Sequence, residues 1–235
     1  HFLRQMEVFG EETWFRVGDR DAATHLIRTN MLKNGKNLSD ITKWMCEKFA
    51  VSANIIPVTD NSIETRIITD KGELHLQEYW VKHRGKIQLK ESSISEQTKP
   101  SKSEAVNAIH DADMVILAPG NPLTSIGPML QIKGIRKELS KIKKKVVAIS
   151  PLIGDNAISG PAAKYMQAAG IESNAYGLAK MYSDVCSNII IDTKDRMLSK
   201  KIQSLDMKVF ETKITMKNKL AEDALANFIL KQVHV

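Results

Sequence analysis

Helical and extended patterns alternate along the chain from residue 103 onward. Apolar residues recur at helical spacing in SEAVNAIHDA, GIRKELSKI, GPAAKYMQAAG and AYGLAKMYSDV, and nearly unbroken apolar runs occur in MVILA, VVAI, NIIID and MKVF. Strands that are apolar on both faces are typical of a parallel sheet covered by helices on each side. The pattern therefore predicts an α/β fold, three-layer and Rossmann-like, with a mostly parallel sheet. We expect residues 115–118 and 146–149 to be neighbouring central strands.

The first sixty residues predict two helices and a strand. Residues 22–32 carry apolar positions at helical spacing and stop at Asn34-Gly35, and Ser39 is positioned to cap a second helix over DITKWMCEKF. NIIPV at 54–58 predicts a short buried strand.

A small insertion is expected in the next forty residues. Residues 64–69 and 73–82 flank a turn-forming Asp-Lys-Gly sequence and predict a β-hairpin. The serine-rich, polar residues 89–103 predict a mobile connection. We expect one domain over residues 1–235, within which 59–102 form the hairpin and this connection. HFLRQMEVFGEE at the start resembles a helix already under way, so the domain is expected to be incomplete at its N-terminus.

Composition narrows the function classes. The net charge of +7 is spread along the chain, its densest run (KIKKK) lies between a predicted helix and strand, and aromatic residues do not interleave with it. This distribution favours an enzyme with phosphate-bearing substrates over a protein that binds nucleic acid. Two cysteines without CxxC spacing indicate a reducing, cytoplasmic setting, and no apolar run is long enough for a bilayer.

Residues 14–25, WFRVGDRDAATH, concentrate charge where a helix is predicted to begin. Arg16 and Arg20 can offer forked donors to a phosphate, and the amides of a helix N-terminus point at an anion. Asp19 and Asp21 could hold a divalent cation or cap the helix. A charged capping loop with no ligand is an equally good interpretation of these residues alone.

Two loops follow neighbouring predicted strands. PGNPLTSIGP (119–128) comes after MVILA, and SPLIGDNAISGPAAK (150–164) comes after VVAI. Ligands of open α/β sheets bind beyond the carboxyl ends of the strands, where backbone amides and hydroxyls can cradle phosphate or carboxylate. The alternative is a pair of ordinary turn-rich connections.

Taken together, these segments resemble the CofD family, the 2-phospho-L-lactate transferases of coenzyme F-420 biosynthesis. WFRVGDRDAATHLIRT resembles the family's WFxLGDRDxATHxxRT block, and NIIPVTDNSIETRIIT and LHLQEYWVKHRG resemble two further blocks. APGNPLTSIGPML and SPLIGDNAISGPAAK resemble its SNPxxSIGPI and GPAxK loops. Val17, Gly120 and Asp155 depart from the family pattern. The glycine-rich strand-turn and aspartate-rich segment that begin family members are absent, and most metal ligands are expected there.

The resemblance implies a reaction and its participants. A guanosine-diphospho-linked three-carbon acid, of the 2-phospholactate or phosphoenolpyruvate type, would pass its phosphoryl-acid unit to the deazaflavin Fo and release GMP. Mg²⁺, a cytoplasmic location and a homodimer are also expected. The implied catalytic residues are Asp19, Arg20 and Asp21. The implied substrate-binding residues are Arg16, Thr24, His25, Asn121, Thr124, Ser125, Ser150, Gly154 and Gly160. We expect Arg16, Arg20, Asn121 and Ser125 to converge on one cleft. A non-catalytic nucleotide-sugar-binding regulator of the same fold and a nucleic-acid-binding protein are the alternatives.

Overall fold

The structure, a computed structural model, describes residues 1–84, 86–87, 89–94 and 102–233, with the backbone alone at residues 89 and 91–94. The helices are α1 Phe2–Val8, α2 Asp19–Lys33, α3 Leu38–Lys48, α4 Ser103–Asp111, α5 Gly127–Gln131, α6 Ile135–Lys141, α7 Ala162–Ala168, α8 Ala175–Tyr182, α9 Ser199–Gln203 and α10 Lys219–Gln232. The strands are β1 Thr65–Thr69, β2 Gly72–His75, β3 Leu89–Ile94, β4 Val115–Leu117, β5 Val146–Ile149, β6 Leu152–Ile153, β7 Asn156–Ala157, β8 Asn188–Asp192 and β9 Lys208–Thr212. Single π-helical turns span Glu78–Lys82 and Pro122–Ile126, and 3-10 turns span Lys143–Lys145 and Thr193–Leu198.

A four-stranded parallel sheet in the order β4-β5-β8-β9 is the centre of the fold. Successive side chains of β5 point to opposite faces, and all four are buried, which explains why its sequence is apolar without alternation. Val146 and Ala148 pack among helices that include α4, α6 and α8, while Val147 and Ile149 pack against α10 on the other face. The predicted three-layer α/β fold is confirmed.

The predicted neighbours β4 and β5 do pair, in parallel, with Val115 opposite Val146. The prediction that both strands are central is wrong for β4, which forms one edge of the sheet in the part of the chain that the structure describes. Ile116 is 44% exposed because it shares the sheet face of Val147, and the α10 layer does not cover it. An apolar run thus predicted a strand correctly but not its place in the sheet.

The predicted hairpin is confirmed as β1 and β2, which pair antiparallel with Thr69 opposite Gly72. The prediction that its second strand continues to Lys82 is wrong, because the chain leaves the sheet after His75 and turns helical. The expected mobile connection is also wrong in its first part, since β3 pairs antiparallel with β1 and completes a three-stranded sheet. Residues 95–101 of that connection lie outside the described residues, and its last residue, Ser103, begins α4.

Two local predictions in the first sixty residues are wrong for identifiable reasons. Asn37 caps α3 by accepting a hydrogen bond from Asp40 N, whereas Ser39 lies inside the helix and donates its hydroxyl to Asp60. Residues 54–58 form no strand, although Ile56 and Val58 do pack against the main core. The strand was predicted from the apolar composition of this short run, and Ile55 is in fact 52% exposed.

No helix among the described residues has the length and hydrophobicity needed to cross a membrane. Both cysteines are free, and burial raises the pKa of the Cys186 thiol to about 11.

The Asn188 side chain connects β8 by hydrogen bonds to the residues at the start of β5. Its side chain is 2% exposed, and Nδ2 donates to the carbonyl oxygens of Lys144 and Val146 at 2.8 and 3.1 Å. We expect Asn188→Leu to lower the free energy of unfolding by about 1–3 kcal/mol, because it removes the donor from buried carbonyls. Urea denaturation measures this, with Asn107→Leu on the exposed side of α4 as the control. Equal effects of the two substitutions would contradict the structural role of the Asn188 amide.

Candidate functional site

A cavity of about 340 Å³ lies where β4 and β5 end. Because these strands are parallel neighbours, the loops that leave their carboxyl ends emerge side by side. The β4 loop contributes Pro119, Gly120, Asn121, Thr124 and Ser125, and the β5 loop contributes Pro151, Ser159, Gly160, Pro161 and Ala162. The remaining wall consists of Leu76, Gln77, Trp80, Val81 and Tyr165.

Asn121 shapes the first loop. Its Oδ1 accepts hydrogen bonds from the amides of Leu123 and Thr124, at 3.0 and 3.3 Å, and so begins the π-helical turn that follows β4. With the oxygen used in this way, Nδ2 is left as a buried donor without a partner among the described residues. Thr124 and Ser125 are brought to the same cavity by this turn.

The second loop brings one of its three predicted residues to the cavity. Gly160 lines it, with a positive φ of 67° that favours glycine. Ser150 is fully buried, and its hydroxyl bonds with Leu152 N and O, so it holds the turn. Gly154 lies at the tip of the β6–β7 hairpin and donates its N–H to Asp195 Oδ1 at 2.8 Å. Neither Ser150 nor Gly154 lines the cavity.

Two aromatic side chains, Trp80 and Tyr165, belong to the third wall. The ring centroids of Trp80 and Tyr165 are 6.2 Å apart, and those of Tyr79 and Tyr165 are 5.8 Å apart. Tyr79 and Tyr165 are buried with Ile67 in a small core between the three-stranded sheet and α7. Burial raises the pKa of the Tyr165 hydroxyl, so this group is a neutral phenol at physiological pH.

The GDRD segment begins α2 as predicted, but not through an aspartate cap. Gly18 is the N-cap residue, without a side-chain cap, and Asp19 and Asp21 lie in the first turn, where carboxylates stabilise a helix. Asp19 Oδ1 accepts a hydrogen bond from Phe2 N at 3.0 Å, and this bond is the main reason why the Asp19 pKa is lowered. Arg16, Arg20 and Asp21 are exposed.

A second, mostly apolar cavity lies along one side of α2. Asp19 and His25 line it together with Phe2, Val17 and Leu26. Thr24 does not line this cavity and donates its hydroxyl to the carbonyl oxygen of Arg20. Arg16 and Arg20 line neither this cavity nor the one beyond β4 and β5.

Lys82 links the GDRD block to the wall of the first cavity. Its Nζ lies 3.2 Å from Glu12 Oε1 and 5.6 Å from the centroid of the Trp14 ring, and the preceding residue, Val81, lines the cavity. The chain just before Arg16 therefore runs beside this wall. Convergence of Arg16 and Arg20 with Asn121 and Ser125 on one cleft stays a prediction.

A metal site is not formed by the residues that the structure describes. No three His, Cys, Asp or Glu side chains among them come together in a way that could hold a cation. The cavity lining contains no carboxylate.

Several cavity residues were not identified from the sequence. Gln77 and Trp80 belong to LHLQEYWVKHRG, a segment that resembles the family without implying a role for individual residues. Tyr165 follows the GPAAK loop directly, and its aromatic side chain on the first turns of a helix after a ligand loop was the available signal. The helical spacing of apolar residues around Tyr165 makes it resemble an ordinary core residue in the sequence.

Asp195 connects the second loop to the end of β8, and its burial makes the stability of the fold depend on pH. This carboxyl is 3% exposed, and its Oδ2 has no partner among the described residues. Burial, reinforced by Asp192 and Asp155, raises the pKa of this carboxyl above its ordinary value of 3.8. Between the unfolded and folded pKa values the folded state binds more protons, so this group's contribution to stability falls as pH rises through that interval.

We expect Asp195→Asn to raise the free energy of unfolding at pH 7 by about 1–3 kcal/mol, since the amide oxygen still accepts from Gly154 and no charge is buried. The gain should shrink as pH is lowered towards 3.8, because the wild-type carboxyl then becomes protonated in the folded state and no longer buries a charge. Denaturant titrations between pH 4 and 8 measure this, with Asp155→Asn on the exposed hairpin tip as control. A destabilising Asp195→Asn at pH 7 would show that the charge itself is needed.

The sequence of this chain is similar to those of several known proteins. The chain is 39% identical over 193 residues to a 2-phospho-L-lactate transferase of Methanosarcina mazei, which covers 82% of this chain and 63% of that protein. A protein of the same name from Methanospirillum hungatei is 38% identical over 78% of this chain and 61% of its own length. A phosphoenolpyruvate transferase of Mycobacterium tuberculosis is 35% identical over 82% of this chain and 60% of its own. The chain thus spans a little over three fifths of the length of these relatives.

Solved structures agree on the fold. Two crystal structures of a Bacillus halodurans protein described as a UPF0052 family member match with TM-scores of 0.58 and 0.62. The identity is 15% in both, and the matches cover 83% and 86% of this chain and 69% and 70% of those chains. The profile of 2-phospho-L-lactate transferase CofD matches residues 3–229. The chain therefore belongs to the CofD family.

Proposed function

We propose that the protein of which this chain is part is a transferase of coenzyme F-420 biosynthesis. It moves a phospho-three-carbon-acid unit, of the 2-phospholactate or phosphoenolpyruvate type, from a guanosine-diphospho-linked donor to the deazaflavin Fo. The supporting observation is the cavity at the adjacent ends of β4 and β5, formed by two loops of a CofD chain. The names of the relatives support both types of acid, so the choice between them stays open.

The reaction is the attack of an alcohol on a pyrophosphate. The terminal hydroxyl oxygen of Fo forms a bond to the phosphorus that carries the acid, the bond from that phosphorus to the bridging oxygen breaks, and GMP leaves with the bridging oxygen. Positioning and neutralisation of charge account for most of the catalysis in such a transfer. Arg16 and Arg20 are proposed to hold phosphate oxygens, and Asp19 or Asp21 to accept the hydroxyl proton.

Dependence on a divalent cation, Mg²⁺ in the first instance, is a separate proposal that rests on the pyrophosphate chemistry. The residues that the structure describes do not offer a set of ligands for it. The cytoplasmic location and the homodimer also stay predictions.

The direct test uses the complete protein with Fo, the guanylylated acid and Mg²⁺, and follows GMP release. We expect GMP and the phospho-acid conjugate of Fo to form in equal amounts. A folded protein that binds Fo and releases no GMP above background would refute the transferase and favour the non-catalytic regulator.

Arg20→Ala tests the proposed role of the α2 segment. If the guanidinium holds charge that develops on the transferring phosphoryl group, turnover should fall roughly 100-fold, while Arg20→Lys should recover part of it as a point charge. Arg20 is exposed, so the fold should be unaffected. Arg136→Ala, which removes an arginine paired with Asp184 near the start of β8, is the matched control. Wild-type turnover in Arg20→Ala would remove this residue from the site.

A further inference from the structure

The β6–β7 hairpin is inserted into the second loop, residues 150–164. Pro151, directly before β6, and Ser159 and Gly160, soon after β7, line the cavity at the ends of β4 and β5. The N–H of Ile158 donates to the carbonyl oxygen of Pro151 at 2.9 Å and closes the base of the hairpin. The direction in which the hairpin points therefore decides where the lining residues on both sides of it lie.

Packing secures the first strand of this hairpin better than the second. Leu152 in β6 is fully buried, whereas Asn156 in β7 and residues 158–160 are exposed. The pairing of the two strands consists of two residue pairs, Leu152 with Ala157 and Ile153 with Asn156. A two-stranded ladder with an exposed second strand is marginally stable in water, so the hairpin needs a further attachment to keep one direction.

Two hydrogen bonds connect the hairpin to β8 and to the turn that follows it. At the base, Ser150 N donates to the carbonyl oxygen of Ile190 at 2.9 Å, and at the tip Gly154 N donates to Asp195 Oδ1 at 2.8 Å. One attachment point would let the hairpin pivot about its base, whereas two points fix its direction. The tip attachment depends on a side chain, so a substitution of Asp195 removes it and leaves the base intact.

Asp195 is an unfavourable residue if stability alone is considered. It is 3% exposed, its Oδ2 has no partner among the described residues, and burial near Asp192 and Asp155 raises the pKa of its carboxyl. Both oxygens of Asp192, in contrast, accept hydrogen bonds, from Lys194 N and Ile214 N. A buried carboxylate with one hydrogen bond is less stable than a neutral group, so the contribution of Asp195 is its bond to the hairpin tip.

We propose that Asp195 is a positioning residue, which through its bond to Gly154 holds the β6–β7 hairpin in the direction that makes the second loop competent to bind a substrate. The inference rests on the proposed function, in which that loop contacts a substrate. Without the bond the hairpin populates other directions, and the apparent affinity falls in proportion to the fraction of molecules that remain competent. A substrate that has bound reacts as before, so KM rises and kcat is retained.

The test compares variants of the complete protein that lack or retain the hydrogen-bond acceptor. Asp195→Ala and Asp195→Leu both remove it, and their different volumes distinguish loss of the bond from a packing defect. Asp195→Asn keeps an oxygen that accepts from Gly154 N. Ser199→Ala is the matched control, because it removes a side-chain hydrogen bond, to Glu211, from the helix that follows the same turn and involves no residue of the hairpin.

Hydrogen exchange of the Gly154 amide measures the hairpin directly, without substrate. Exchange should be about tenfold faster in Asp195→Ala and Asp195→Leu, the effect of losing one hydrogen bond to a charged acceptor. In Asp195→Asn and Ser199→Ala it should stay within about threefold of wild type. In steady-state kinetics with Fo and the guanylylated acid, the KM of at least one substrate should rise about tenfold in the two variants without an acceptor, with kcat within about twofold.

Equal exchange of the Gly154 amide in wild type and all variants would overturn the inference, as would faster exchange with an unchanged KM for both substrates. An equal rise of KM in Asp195→Asn and Asp195→Ala would also overturn it, because the charge rather than the bond would then be responsible.

The outcome is separable from that of the proposed function. A folded wild-type protein that releases no GMP refutes the transferase, and titrations of the same variants with Fo and with GDP then replace the KM measurement. Faster Gly154 exchange together with about tenfold weaker binding of either probe in Asp195→Ala would leave this inference standing. Unchanged or absent binding of both probes would overturn it.

Discussion

Parallel pairing of β4 with β5 is the constraint on which the arrangement of the site depends. Two parallel neighbours must end at the same edge of the sheet, so the segments that follow them are brought together although the strand ends, Leu117 and Ile149, are 32 positions apart in sequence. The pairing is held in place by burial of β5 on both faces and by the Asn188 amide at its entry. A shift of one residue would turn Val147 and Ala148 to the wrong layers and would misplace both loops.

The two loops use their polar groups in different ways. The side-chain oxygen of Asn121 accepts hydrogen bonds within the turn after β4, and its Nδ2 has no partner among the described residues. The Ser150 hydroxyl makes its hydrogen bonds within its own turn. Gly154 is held from outside by Asp195, which ties the β6–β7 hairpin to the end of β8. Some polar residues in these two loops therefore hold the loop conformation, and others are available to bind a ligand. Sequence motifs do not separate these two groups.

The two candidate ligand regions differ in charge. The GDRD segment at the start of α2 is exposed, so its arginines and aspartates remain hydrated until a ligand covers them. The cavity at the sheet edge is lined by neutral polar and aromatic groups. Lys82, which lies beside Trp14 and follows Val81 in the chain, marks where the two regions approach each other.

Much of the fold could be predicted from the sequence because the relevant signals are local. Unbroken apolar runs identified β5 and β8, helical spacing identified α2 and α8, and the Asp70 turn identified the β1–β2 hairpin. The edge position of β4 and the pairing of β3 depend on contacts between distant segments, which periodicity does not encode. In the site, Asn121, Thr124, Ser125 and Gly160 were predicted to bind a ligand and do line the cavity, whereas Ser150 and Gly154 do not. The sequence did not predict that Tyr165 and Trp80 line the cavity. An aromatic residue at such a position is expected in the core, and only the positions of its neighbours show otherwise.

The central claim is that the loops after β4 and β5 and the GDRD segment serve one ligand site. A crystal structure of the complete protein with Fo and the guanosine-diphospho-linked acid tests it most directly. The account predicts ligand density in contact with both Asn121 and Arg20. Ligand density that contacts only one of these two segments would contradict it.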